Sequence, residues 1–161
     1  MSDRFYSERL KWGFTAALIL WAAVIFFFSA QPGNVSGEQS HRISEFLANF
    51  FNLHQFENVL HSAEIIVRKC AHVAEYAAFG ALVSLCLSFH PLGFKARFGL
   101  SVLAATAYGA TDEIHQFFVP GRTSRLYDVG FDTFGGMIGA LVTLLIVRAY
   151  FKRKAEQRYS E

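Results

Sequence analysis

"AATAYGATDEIHQFFVPGR", residues 104–122, asks for two structures at once. Its first half, small and uncharged, reads as the middle of a membrane-spanning helix. Its second half places Asp112, Glu113, His115 and Gln116 within five positions, before Pro120 and Gly121 end the apolar stretch. An ionisable side chain at the centre of a bilayer costs about 2.5–3.5 kcal/mol on insertion scales. Either this segment never enters lipid, or its charges face something other than lipid. The rest of the chain decides between the two.

Composition favours the second answer. The chain has 161 residues, 53% apolar and 17% charged, with 18 Phe. Soluble domains carry about 25% charged residues. The deficit is concentrated in long uncharged runs, so the composition is that of a polytopic membrane protein built as one domain over 1–161. Cys70 and Cys86 fall on one expected helix, about 24 Å apart at 1.5 Å per residue, too far for a disulfide.

Four spans follow. The first, 12–30, is "WGFTAALILWAAVIFFFSA", preceded by Arg9 and Lys11 and closed by "QPG". It is longer than a signal-peptide core of about 7–15 residues and lacks a small-residue cleavage site, so it reads as a retained anchor. The others are 71–89, ended by "HPLGFKAR", then 98–119, then 129–147 with Asp132 as its only charge. Residues 31–70 form the one substantial loop. There Ser40 is the expected N-cap of a short amphipathic helix with Ile43, Phe46, Leu47, Phe50 and Phe51 on its apolar side. That helix either lies in the headgroup region or packs across the bundle mouth. The expected fold is therefore all-α, a four-transmembrane-helix bundle with a short extracytoplasmic amphipathic helix between spans one and two. Of the Lys and Arg residues, ten lie on the side of the termini and five on the other. The positive-inside rule then puts both termini in the cytoplasm of a bacterial inner-membrane protein.

With that orientation the charges gather in the outer leaflet. Glu64, Arg68, His72 and Glu75 line one helical face, as do Asp112, His115 and Gln116, while Asp128 and Asp132 are one turn apart. Gly135 and Gly139 form a small-xxx-small pair that lets another backbone approach. In "VPGR", Pro120 and Gly121 suit the centre of a type II turn, holding Arg122 over the helix ends. Arg122 is placed to contact an anion or to clamp Asp112 or Asp128. Asp128 equally suits a cap of the last helix.

Three segments carry a family resemblance. "RKCAHVAEYAAFG" at 68–80, "YGATDEIHQFFVPGR" at 108–122 with Asp128 and the glycine pair beyond it, and "FFFSAQPGNVS" at 26–36 resemble the VanZ-like family over about residues 20–145. That family takes its name from a protein associated with low-level resistance to teicoplanin, a lipoglycopeptide acting on the outer envelope. The resemblance implies an integral membrane protein with an envelope-facing polar site.

Ten ionisable groups at one depth exceed what helix register requires, and intramembrane charges default to function. Three chemistries suit the set. In a hydrolase or transferase, His72, Glu75, Asp112, Glu113 and His115 supply acid–base or nucleophilic groups, while Arg68, Lys69, Gln116, Arg122, Asp128 and Asp132 hold an anionic substrate. A divalent-metal site drawing on the same histidines and carboxylates is the second, although no H-x-x-x-H or C-x-x-C spacing supports it. A lipid-binding protein without turnover is the third. The expected partner throughout is a membrane lipid or lipid-linked envelope precursor. Nucleic acid is not expected, because the basic residues sit at membrane edges; the sequence leaves cofactor and oligomeric state open.

Overall fold

A computed structural model describes residues 2–50 and 57–160. Five helices account for nearly all of them: α1 Ser2–Ser29, α2 Gly33–Phe50, α3 Glu57–Leu87, α4 Phe94–Phe117 and α5 Leu126–Ser160. No strand occurs among the described residues. Among the described residues, three segments are long and apolar enough to cross a bilayer: Glu8–Ser29, Ser62–Leu87 and Leu126–Lys154. The fourth expected span corresponds to α4, 24 residues long, whose polar second half keeps it out of that class.

The α3–α5 contact is the most extensive in the molecule, followed by α4–α5. Glycine makes it close. A Cβ at Gly139 would run into the Ala77 carbonyl, one at Gly135 into the Val73 carbonyl, and one at Gly80 into the Gly136 carbonyl. The stripe thus brings two backbones into contact where larger side chains would hold them apart. Around it lies a core of Ile25, Tyr76, Phe79, Val83 and Ala105. The Phe79 and Tyr108 rings stack with centroids 4.8 Å apart. Two long-range bonds tie α1 to this core: Trp21 Nε1 donates to the Glu75 carbonyl at 2.9 Å, and Tyr108 Oη donates to the Ala22 carbonyl at 2.7 Å.

The outside is as apolar as the inside. Ile19, Leu20, Leu103, Ile114, Phe117, Leu145 and Ile146 are all exposed large hydrophobics. A soluble fold would bury such a belt; a bundle solvated by acyl chains has no reason to.

Helix α2 departs from the sequence expectation. It starts at Gly33, and Ser40 sits inside it, its hydroxyl bonded to the Ser36 carbonyl at 3.1 Å rather than capping an end. The start is set by Pro32, whose carbonyl accepts the Ser36 N–H, while the Gly33 N–H donates to the Pro120 carbonyl at 3.0 Å. The expected apolar side is exposed at Ile43, Phe46, Leu47 and Phe50, and the small residues Ser40, Ser44 and Ala48 are buried. Helix α2 contacts α3 and turns its large side chains away from the bundle. Phe51, expected on the same side, lies outside the described residues.

Candidate functional site

The polar residues of α3, α4 and α5 meet at one end of the bundle, beside the end of α1 and the α4–α5 connector. Two glycine contacts make this geometry possible. Gly109 of α4 leaves room for Asp132 of α5: a Cβ there would lie 2.9 Å from the Asp132 Cβ and 3.0 Å from Oδ2. At Gly33 a Cβ would collide with the Gly121 carbonyl, so α2 and the connector touch backbone to backbone. The connector is the expected turn: the Arg122 N–H donates to the Val119 carbonyl at 3.2 Å and Gly121 has φ +74°.

Asp132 is fully buried, and its Oδ1 lies 3.3 Å from Nδ1 of His72, whose side chain is 21% exposed. The second oxygen, Oδ2, has no hydrogen-bond partner among the described residues. A buried carboxylate beside one ring nitrogen fixes the orientation of the imidazole, an arrangement that acid–base sites use. One turn earlier, Lys69 Nζ bonds Asp128 Oδ1 at 3.0 Å and sits 4.1 Å and 4.5 Å from the ring centroids of Phe131 and Tyr127. On α4, Gln116 Nε2 donates to Asp112 Oδ2 at 2.9 Å, and both residues are buried.

Two cavities open on this cluster. The larger, about 310 Å³, is lined by Arg68, Lys69 and His72 of α3, Glu113 and Gln116 of α4, Arg122, Thr123 and Arg125 of the connector and Asp128 of α5; Ile65, Tyr127 and Phe131 give it an apolar wall. The smaller, about 210 Å³, lies between α1, α2, α3 and α4 and is lined by Glu75, Asp112, Ser29 and the α2 residues Ser36, Gln39 and Ser40. Arg68, His72, Gln116 and Arg122 line both. Arg68 has no ion-pair partner among the described residues.

His115 lies off both cavities, and several other expected site residues have partners that the sequence did not indicate. The His115 ring is 4.5 Å from that of Phe26 on α1, because the i+3 position turns it toward α1 while Asp112 and Gln116 face α3. Arg122 clamps neither Asp112 nor Asp128. Its Nε and Nη2 donate to the carbonyls of Gln31 and Phe28 at 3.0 and 2.7 Å, satisfying open carbonyls at the end of α1. Burial lowers its pKa, yet from so high a starting value the group stays cationic. Glu113 is tied up with the connector, its Oε2 accepting the Arg125 N–H at 2.8 Å. Asp128 is in the first turn of α5 rather than capping it, and Lys69 holds its carboxylate. Sequence reading passed over Arg125, Gly109 and the aromatic pair around Lys69. The pair's signal is its i, i+4 spacing, Tyr127 to Phe131, beside Asp128.

Among the described residues, no three His, Cys, Asp or Glu side chains gather as a metal-ligand set. Comparison with family models settles the kinship. The VanZ/LLP1 model matches residues 14–147, most of the chain and every element of the site. The chain belongs to the VanZ/LLP1 family. No curated protein and no solved structure gives a match. For this VanZ/LLP1 protein, function has to be argued from the site itself. Its cavity combines cations, apolar walls and one oriented histidine.

Proposed function

We propose that this VanZ/LLP1 protein is a four-span inner-membrane protein whose larger cavity takes the anionic head of an envelope lipid or lipid-linked cell-wall precursor. The observation that carries the reading is the pairing, in one cavity, of Arg68, Lys69 and Arg125 with the apolar wall of Ile65, Tyr127 and Phe131. Arginine suits phosphate oxygens, and the aromatic wall suits the first methylenes of a tail. Arg68, at the junction of the two cavities, is the lead contact for the anion. His72, oriented by Asp132, is the acid–base group of a membrane-embedded hydrolase or transferase acting on that head. A role in susceptibility to teicoplanin, suggested by the family name alone, would run through the lipids or precursors that the drug meets.

Binding without turnover is the second reading. It is favoured by His115, which packs against Phe26 off both cavities, and by Glu113, whose carboxylate at the cavity is held by the connector, so that a single histidine remains there. One experiment separates the two. Protein purified into phosphatidylcholine nanodiscs carrying phosphatidylglycerol and a polyprenyl diphosphate is followed by mass spectrometry of the lipids over time, with His72→Ala, Asp132→Asn and Arg68→Ala alongside. Turnover that needs His72 and Asp132 establishes the enzyme. A lipid retained unchanged, and lost from Arg68→Ala, establishes the binder. If the wild type neither converts nor retains either lipid, the proposal fails.

A further inference from the structure

The two cavities meet at a shared wall but differ in chemistry. The larger sets Arg68, Lys69, Arg122 and Arg125 against two carboxylates, whereas the smaller sets only Arg68 and Arg122 against Glu75 and Asp112 and adds hydroxyls and an amide of α2 and Ser29 of α1. Two guanidiniums against two carboxylates leave the smaller chamber without the excess of cations that would draw a second anion. Ser29 is 3% exposed and its hydroxyl has no partner among the described residues, although a buried hydroxyl ordinarily finds one. The hydroxyls of Ser36 and Ser40 stand one turn apart on the same wall, and Gln39 lies between them in sequence. Donors and acceptors of this kind, with apolar patches at Ile25 and Phe28, suit a neutral compound rich in hydroxyl groups. His72 is in the wall between the chambers, its Nδ1 held by Asp132.

We propose that the smaller chamber is an acceptor site for a neutral hydroxyl compound, so that the protein is a transferase passing a phosphoryl-linked group from the lipid in the larger cavity to that hydroxyl across His72. The inference rests on the reading of the larger cavity as an anionic-head site. His72 Nε2 takes the proton of the acceptor hydroxyl as its oxygen bonds to phosphorus. The phosphorus–oxygen bond to the leaving alcohol breaks, and that alcohol takes the proton back from the imidazolium. One alcohol replaces another at phosphorus, so atoms and charge balance without a redox partner or a further co-reactant.

The test uses the full chain in phosphatidylcholine nanodiscs containing phosphatidylglycerol, with deuterated glycerol as acceptor in isotope-labelled water. Mass spectrometry reads the glycerol-exchanged lipid, the water-derived product and the lipid retained by the protein. Wild type is expected to form the deuterated exchange product in preference to the water product. Gln39→Trp, at an exposed position on the chamber wall, is expected to lower exchange about tenfold, the scale on which pockets discriminate small groups. Lipid retention should stay at the wild-type level. Ser29→Ala, which removes the unpartnered hydroxyl and nothing else, should lower exchange without lowering the melting temperature. Labelled water appearing in the product regardless of glycerol would overturn the proposal, as would wild-type exchange in both variants. Retained lipid with no product overturns the acceptor site and leaves the head-group reading standing; loss of retention strikes the head-group reading.

Discussion

At the scale of the residue, the two arginines that line both cavities with His72 look alike in sequence and differ in what they do. Arg122 donates to two carbonyls at the end of α1, whereas Arg68 has no ion-pair partner among the described residues and faces both cavities. Removing Arg122 takes away hydrogen bonds from a charged donor, each worth about 1.5–3 kcal/mol. Arg122→Ala is therefore expected to lower the thermal midpoint in detergent, and Arg122→Lys to restore little, since one ammonium cannot reproduce the fork. Arg68→Ala is expected to leave the midpoint unchanged and to weaken retention of an anionic lipid about tenfold, or 1.4 kcal/mol. A thermal melt beside a lipid-retention assay checks both; equal midpoint losses in the two variants would erase the distinction. The sequence could not have drawn it. The type II turn at 119–122 was legible from Pro120 and Gly121, but the destination of the guanidinium depends on where α1 ends in space.

At the scale of the element, small residues set the packing. Gly139→Ala puts a methyl group against the Ala77 carbonyl, and overpacking of this kind costs about 1–3 kcal/mol. Gly130 lies on the same helix, and a Cβ there meets nothing within 4 Å. Gly130→Ala is thus expected to be neutral or to stabilise by up to about 1 kcal/mol through helix propensity. Opposite shifts in the thermal midpoint are the expected outcome, and parallel shifts would refute the packing argument. The glycine pair was legible because its i, i+4 spacing is local. The length of α2 was not, because its first turn depends on a bond from Gly33 to the distant Pro120 carbonyl. That helix has a second attachment. His41 places Nδ1 2.6 Å from Glu64 of α3 and Nε2 3.2 Å from Glu45, so both ring nitrogens meet carboxylates and the doubly protonated ring is favoured. The Glu64 hydrogen bond raises the His41 pKa above 6.5, with smaller help from Glu45. A raised histidine contributes stability that is whole below its unfolded pKa and is lost as pH rises through the folded value. Amide exchange in α2 is therefore expected to quicken as pH rises from about 5 to 8, and His41→Gln to remove that dependence. Exchange that slows with rising pH, after correction for the intrinsic rate, would reverse the sign.

At the scale of the whole molecule, the question raised by residues 104–122 becomes one about topology. Asp112, Glu113 and Gln116 are buried, while Leu103, Ile114 and Phe117 on the same helix are exposed. Mean hydropathy sums over a helix's whole circumference, so a span that directs its charges into a bundle scores like a soluble helix even when its outer side is apolar. The proposed fourth crossing by α4 is consistent with its length: 24 residues reach about 36 Å, against a hydrocarbon core of about 30 Å. Four crossings put both termini and the 88–93 turn on one side and the 118–125 connector on the other; three crossings would put the termini on opposite sides. Single cysteines at Lys95, Arg125 and Lys152, in a background with Cys70 and Cys86 replaced by serine, distinguish the two in intact cells. A membrane-impermeant maleimide is expected to label Arg125→Cys from outside, and to label Lys95→Cys and Lys152→Cys only after permeabilisation. If Lys95→Cys and Arg125→Cys label alike, α4 does not cross. The charges would then lie at a membrane surface rather than within a bilayer, and the cavity would lose the lateral access that a lipid head needs.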